Sequence, residues 1–149
     1  MNSTVELTEI IRRWLDIAMH RSMRDRTHFA KAKGLSMTQF GLLMQLRYRG
    51  NCGVSDISER FEITNPAASQ LVDKLVQSNL VERAEDPNDR RAKQIQLSAK
   101  GKTMIEKSVG ERYRWVDELV SNLNAEERAK VSAALTLLTE AASKLEQTQ

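Results

Sequence analysis

The sequence predicts a mainly α-helical protein with one small two-stranded β-hairpin, and two observations support this fold class. Apolar residues recur at intervals of three and four along most of the 149-residue chain, which is the spacing of one helix face. Between Leu80 and Leu97 the interval changes to two, as expected for paired strands. With 40% hydrophobic and 29% charged residues, a chain of this length buries a core without disulfide or metal staples.

The first predicted element is a long helix over residues 4–32. Its apolar side chains lie on one side and require a partner surface. At about 1.5 Å per residue this helix would be roughly 43 Å long, too long for the small domain that follows. The stripe consists of Leu7, Ile10, Ile11, Trp14, Ile17, Ala18 and Phe29.

Two short helices are predicted after Gly34. Ser36 and Gln39 have the spacing of a capping box, and the helix that they begin ends near Gly50. Ser55 is predicted to cap the second helix. The inward residues are Phe40, Leu42, Leu43 and Leu46 of the first helix and Ile57 and Phe61 of the second.

A third short helix is predicted over residues 65–78. Pro66 fits its first turn, where a missing amide hydrogen costs nothing. Either Thr64 or Asn65 caps its start, and Asn79 is expected to end it in a left-handed conformation. Its inward residues are Ala68, Leu71, Val72 and Leu75.

The predicted hairpin follows at once. Its strands cover residues 81–85 and 92–97, and the turn-forming cluster at 86–89 separates them. The net charge of the chain is only +3, but residues 90–102 contain basic residues and no acidic one. The basic residues of this run are Arg90, Arg91, Lys93, Lys100 and Lys102.

Two further long helices complete the predicted chain. One covers residues 99–122, and the next begins at Asn124, which has Glu127 three residues later as a capping partner. The apolar stripes are Ile105, Val109, Tyr113, Val116, Leu119, Val120 and Leu123 on the first and Val131, Ala134, Leu135, Leu138, Ala141, Ala142 and Leu145 on the second.

Three short helices followed by a hairpin is the order of a winged helix-turn-helix. We therefore expect one domain over residues 1–149, with the winged helix-turn-helix lobe at 35–101 and helical dimerisation regions at 1–34 and 102–149. The long helices either form a bundle within one chain or interlock with a second copy. Their length favours the dimer.

Three segments resemble the MarR family of bacterial transcription regulators. They are Leu35-Ser-Met-Thr-Gln-Phe40, Val81-Glu-Arg83 and residues 86–101, in which Asp89 and Arg91 precede an Ile-Gln-Leu-Ser sequence. The resemblance implies a homodimer, commonly a repressor, that binds a pseudo-palindromic operator in double-stranded DNA. It also implies release by a small aromatic or phenolic effector and requires no cofactor.

The third short helix would then enter the major groove as the recognition helix. Gln70 suits a paired contact to adenine, and Ser69 suits a base or a phosphate. Thr64, Lys74 and Arg83 are expected to contact phosphates, which position a protein without reading sequence. The remaining candidates on the outward face are Asn65, Pro66 and Ala67. The alternative is an ordinary solvated helix face.

Asp89 and Arg91 explain part of the basic run. The carboxylate lies two residues before the guanidinium and is placed to hold it extended. The resemblance makes Arg91 the residue that enters the narrow minor groove, with Asp89 as its anchor and Arg90 and Lys93 on flanking phosphates.

The resemblance places an effector site between the long helices and the DNA-binding lobe. The candidate lining residues are Trp14, Met19, Met23, Met44 and Tyr113. The alternative is that these Met and aromatic side chains form ordinary core.

The sequence predicts neither an enzyme nor a metal site. It has no phosphate-binding glycine loop and no catalytic set around His20 or His28. Asp16 and His20, four residues apart, suit an ion pair better than a shared metal. The single cysteine, Cys52, excludes an internal disulfide and fits a reducing cytoplasm. It lies in the Gly50–Gly53 turn, where its thiol could be exposed. No stretch is long and apolar enough to cross a membrane. A winged-helix module that binds proteins and a small helical enzyme are the alternative functions.

Overall fold

The computed structural model describes residues 3–89 and 93–146. Within these ranges it contains six helices and one two-stranded antiparallel sheet, which confirms the predicted fold class. The elements are α1 (Ser3–Ala32), α2 (Met37–Arg49), α3 (Val54–Arg60), α4 (Asn65–Gln77), β1 (Val81–Glu85), β2 (Lys93–Leu97), α5 (Ala99–Ser121) and α6 (Ala125–Glu146).

Side-chain caps fix where the helices begin. Ser36 and Gln39 form the predicted capping box of α2, in which each side chain accepts a hydrogen bond from the other residue's amide, at 3.1 and 2.8 Å. Thr64 rather than Asn65 caps α4, and its hydroxyl accepts from the amide of Ala67 at 3.3 Å. Hydroxyl oxygens at these positions accept hydrogen bonds from amides that have no partner inside the helix.

The predicted cap of α3 is wrong. Gly53, and not Ser55, is the N-cap residue, and Ser55 lies inside the helix. The Asp56 carboxylate accepts a hydrogen bond from the Gly53 amide at 2.8 Å. An acidic side chain in the first turn also complements the helix dipole. Asp56 therefore stabilises a helix that begins directly after Gly53.

The two strands of the hairpin pair in one register. Val81 lies opposite Leu97, Arg83 opposite Ile95, and Glu85 opposite Lys93. The predicted start of the second strand, residue 92, lies outside the described residues.

Cys52 forms an isolated bridge to Ile95, with backbone hydrogen bonds of 3.2 and 2.7 Å. Of the possibilities that the turn at Gly50–Gly53 left open, full exposure of Cys52 does not occur, because this pairing holds the residue half-buried against β2.

The core lies among the three short helices, the hairpin and the facing ends of α1 and α5. The rings of Phe29 and Phe40 have centroids 6.0 Å apart, which joins α1 to α2. The largest fully buried side chains are Phe40, Leu42, Leu43, Ile57, Val72, Leu75, Ile95 and Ile105. The inward faces predicted for α2 and α4 are thus confirmed, with Leu71 half-buried at the edge.

The chain divides into two compact units, Met1–Arg112 and Tyr113–Gln149. The first contains the short helices and the hairpin. In the second, Asn124 and Glu127 form the predicted cap of α6, with bonds of 2.9 and 3.0 Å. Among the described side chains of α6, only Leu138 is half-buried and the others are exposed.

Candidate nucleic-acid interface

Helix α4 presents a polar face that the core leaves uncovered. Ala68, Val72 and Leu75 are buried, so the opposite side of the helix faces solvent. Of the candidate DNA contacts on the helix and its cap, Ala67 and Ser69 are half-buried, and the exposed ones are Thr64, Asn65, Pro66, Gln70 and Lys74.

The turn that precedes α4 sets the angle between α3 and α4. Glu62 takes a left-handed conformation with φ of 54°, and the amide of Ile63 donates to the carbonyl of Ser58 at 3.0 Å. Non-glycine residues adopt this conformation only where their surroundings hold them in it. The geometry is that of a tight helix-turn-helix.

A groove of about 260 Å³ runs between the start of α2 and the exposed face of α4. Thr38 and Gln39 line one side, and Gln70 and Lys74 line the other. Sequence reasoning did not assign Thr38 or Gln39 to the interface, although the Ser36–Gln39 capping box marks where this helix starts.

Arg83 of β1 contacts the recognition helix. Its Nη2 atom lies 2.7 Å from Oδ1 of Asp73 on α4, and the side chains are 35% and 49% exposed. A pair this exposed contributes about 0–1 kcal/mol to stability. The predicted phosphate contact Arg83 is therefore already held by a carboxylate. Sequence spacing could not reveal this pair, because its members lie on different elements.

Asp86 organises the described part of the hairpin turn. Its side chain accepts hydrogen bonds from the Asn88 amide at 2.8 Å and from Nε2 of Gln94 at 3.1 Å. Its carbonyl accepts from the Asp89 amide at 3.2 Å. Asp89 and Lys93 are exposed. The predicted contacts Arg90 and Arg91 lie outside the described residues.

The start of α5 is fastened to the end of α4. Ser98 donates from its hydroxyl to the carbonyl of Asn79 at 2.6 Å, and Nζ of Lys100 donates to the carbonyl of Ser78 at 3.1 Å. Lys100 thus has a structural role in linking α5 to α4, which its charge alone did not indicate. Asn79 has the predicted left-handed conformation, with φ of 57°.

The proposed effector residues do not all meet. Met19 and Met23 line one groove of about 260 Å³ together with Arg26. Met44 is instead buried in the core, and Trp14 is 45% exposed on α1. The remaining candidate, Tyr113, belongs to the second unit.

Arg26 was missed by the sequence reasoning, although it follows Met19 and Met23 at helical spacing. Its guanidinium lies over the Phe40 ring, 5.2 Å from the centroid. Its Nε atom is buried without a hydrogen-bond partner in the described part of the chain.

Three other features bear on metal binding, membrane insertion and thiol reactivity. In residues 3–89 and 93–146, no cluster of three His, Cys, Asp or Glu side chains is arranged to hold a metal ion. No described helix is both long and apolar enough to span a bilayer. Burial raises the pKa of the Cys52 thiol, and the Asp56 carboxylate raises it further.

Comparison with curated proteins gives regulators with a helix-turn-helix. The chain is 30% identical over 110 residues to the regulator MhqR of Bacillus subtilis, covering 72% of this chain and 75% of MhqR. It is 26% identical over 142 residues to the repressor MdtR of the same species, covering 95% and 92%. A match to the regulator YdgJ, 29% identical over 100 residues, covers 67% of this chain and 61% of YdgJ.

Solved structures share the fold. The regulator Tm0710 of Thermotoga maritima superposes with a TM-score of 0.84 at 22% identity, covering 95% of this chain and 99% of that one. A point mutant of MepR from S. aureus, bound to an oligodeoxyribonucleotide, gives 0.66 at 23% identity over 89% and 97%. Residues 35–93 match the MarR family model. The fold, the motif and the relatives together show that this chain belongs to the MarR family of DNA-binding transcriptional regulators and is not an enzyme.

Proposed function

We propose that this protein is a homodimeric repressor that binds a pseudo-palindromic operator. The observation that carries the proposal is the exposed polar face of α4, which lies beside a hairpin on a helix-turn-helix. The relatives MdtR and MprA are named repressors, and MepR has been solved with bound DNA.

In this proposal α4 lies in the major groove. Gln70 reads a base edge, and Ser69 contacts a base or a phosphate. Thr64 and Lys74 contact phosphates at the two ends of the helix, and Asn65, Pro66 and Ala67 pack closely against the groove. Thr38 and Gln39, which line the α2 side of the groove beside α4, face the same DNA backbone.

The hairpin tip enters the adjacent minor groove. Arg91 is the inserted residue, Asp89 orients it, and Arg90 and Lys93 contact the flanking phosphates. An arginine in a narrow minor groove gains from the negative potential there. The half-exposed pair of Asp73 and Arg83 joins α4 to the middle of β1 in this hairpin.

A second copy of the chain covers the terminal helices. Leu7, Ile10 and Ile17 on α1 are 54%, 60% and 53% exposed, and Leu145 on α6 is 72% exposed. Such apolar exposure on monomeric proteins marks association surfaces. A two-fold dimer would place its recognition helices roughly 34–36 Å apart, which suits successive major grooves.

The effector site is proposed at the groove of Met19, Met23 and Arg26. Flat aromatic molecules suit methionine side chains, and the half-buried Arg26, whose buried Nε atom has no hydrogen-bond partner in the described part of the chain, suits a phenolate or carboxylate. Substituting Arg26 by Leu should abolish release of DNA by salicylate, used as the probe, and leave DNA affinity without salicylate unchanged.

The test of DNA binding begins with fragments of the source genome captured by the purified protein. Affinity for a captured fragment should fall roughly 10³–10⁵-fold between 50 and 200 mM salt, as expected for about 6–10 phosphate contacts. Expression of the adjacent gene should rise when the regulator is deleted. Binding without salt dependence would instead favour a module that recognises proteins.

Three substitutions separate the roles. Gln70→Ala should relax the preference at one base pair, at a cost of about 1–3 kcal/mol. Lys74→Ala should weaken binding to every sequence equally, and Arg91→Ala should weaken binding without unfolding the protein. Lys130→Ala, which removes the same charge on α6, is the control. Unchanged affinity after Arg91→Ala would contradict the assignment of the hairpin tip.

A further inference from the structure

The ion pair between Asp73 and Arg83 joins the two elements that face DNA in the proposed function. Asp73 lies on α4 one residue before the exposed Lys74, and Arg83 lies in the middle of β1. The Oδ1 and Nη2 atoms are 2.7 Å apart. This distance is that of a charge-assisted hydrogen bond.

The strand register explains why Arg83 points toward α4. Residues two apart on a strand share a face, so Arg83 lies on the same face as Val81. Val81 is buried, and so is Ile95, which pairs with Arg83 across the ladder. The guanidinium therefore leaves the core edge toward the helix, where Asp73 is the carboxylate that receives it.

The pair has an electrostatic consequence at a surface that meets phosphates. A free arginine there would bind any DNA backbone, since phosphate contacts carry no sequence information. The Asp73 carboxylate neutralises this cation, so the pair as a whole carries no net charge toward the phosphates. Lys74 and Gln70 remain exposed beside it, so α4 keeps its own cation while β1 offers the DNA backbone one cation fewer than the sequence suggests.

We propose that Asp73 is a positioning residue that raises sequence specificity by withholding Arg83 from the DNA backbone. It holds the guanidinium against α4, lowers affinity for arbitrary DNA and leaves base-reading contacts to decide where the protein binds. The inference rests on the proposed function only in taking α4 and the hairpin as the DNA-facing surface.

The test measures affinity for a duplex of random sequence, and for a captured genomic fragment, between 50 and 200 mM salt. In Asp73→Asn, each protomer of the dimer should gain one phosphate contact through the released Arg83. Affinity for the random duplex should then fall roughly tenfold more than in the wild type over this salt range. Below 100 mM salt the variant should bind the random duplex more tightly, and its preference for the captured fragment should decrease.

Two variants keep the outcome interpretable. The double variant Asp73→Asn with Arg83→Gln should return the salt dependence to that of the wild type, because the released cation is gone. Glu140→Gln removes the same negative charge from α6 and should change nothing. Thermal unfolding checks that each variant is folded, and a purely structural role of Asp73 would not steepen the salt dependence.

The inference is overturned if Asp73→Asn has the salt dependence of the wild type, or if the double variant keeps the steeper one. A wild-type protein that binds no duplex in a salt-dependent way would instead overturn the proposed function itself, and this inference with it.

Discussion

Gly101 shows how little space the lobe leaves at one residue. A Cβ atom added there would lie 2.0 Å from the carbonyl oxygen of Leu80, which is backbone and cannot move aside. The Gly101 amide also donates to the Ser98 hydroxyl at 2.9 Å. The glycine therefore allows α5 to start against the chain between α4 and β1.

Gly101→Ala should lower the free energy of unfolding by about 1–3 kcal/mol, the usual effect of forcing extra atoms into a packed site. Urea denaturation measures this change. Gly110 lies in the same helix with nothing within 4 Å of an added Cβ. Gly110→Ala should therefore stabilise the protein by about 0.5–1 kcal/mol. Equal effects of the two substitutions would contradict the close contact at Leu80.

Cys52 differs from a reactive sensor cysteine because its pKa is raised. Burial and the nearby Asp56 carboxylate favour the neutral thiol, and only the thiolate is a strong nucleophile. We expect iodoacetamide to alkylate Cys52 at pH 7 more slowly in the folded protein than in urea. The rate should rise as pH approaches the raised pKa, and stability should decrease over the same range because unfolding frees the thiol to ionise. Fast alkylation at pH 7 would contradict this expectation.

At the scale of elements, the caps of α2 and α3 differ in what the sequence could reveal. The Ser36–Gln39 box was predictable because both partners are three residues apart and bond only to each other's backbone. At α3 the sequence offered Ser55, whereas the structure uses Asp56 and the Gly53 backbone. Both spacings are local, so the sequence offered two capping arrangements for α3 without a signal that separates them.

Ser36→Ala should lower the free energy of unfolding by about 1 kcal/mol, the usual cost of losing an N-cap. Ser55→Ala should change it by less than about 0.5 kcal/mol, as is typical of surface positions without a special role. Thermal or urea unfolding of the two variants provides the comparison. A larger decrease in the free energy of unfolding for Ser55→Ala than for Ser36→Ala would indicate that Ser55 caps α3 after all.

The candidate site was predictable where it depends on one element and not where it joins two. The outward residues of α4 follow from the helical period. The sequence also limited the N-cap of α4 to Thr64 or Asn65, and the structure uses Thr64. The contact of Asp73 with Arg83 and the fastening of Lys100 to Ser78 join separate elements. Such contacts depend on packing angles between elements, which no spacing within the sequence encodes.

At the scale of the whole molecule, the terminal helices carry most of the uncovered apolar surface. Trp14 is 45% exposed on α1, and Val131 and Leu135 are 42% and 39% exposed on α6. These residues belong to the stripes predicted from the sequence. The second unit in particular buries little of its own apolar surface, as expected of a segment completed by another chain.

If a second copy covers these helices, the melting temperature should rise with protein concentration, because association stabilises the folded state by mass action. Leu135→Glu should weaken the dimer in analytical ultracentrifugation. Ala133→Glu, on a different side of α6, provides the matched control. A monomer at all concentrations, with a constant melting temperature, would contradict the proposed assembly.

The bridge at Cys52 also bears on how copies of this protein tolerate crowding. It occupies the outer edge of β2 at Ile95, so the longer open edge among the described strands is β1. Three of the five residues of that strand, Glu82, Arg83 and Glu85, are charged. Charged edges oppose the addition of another strand, so we expect this protein to stay free of hairpin-to-hairpin association at high concentration.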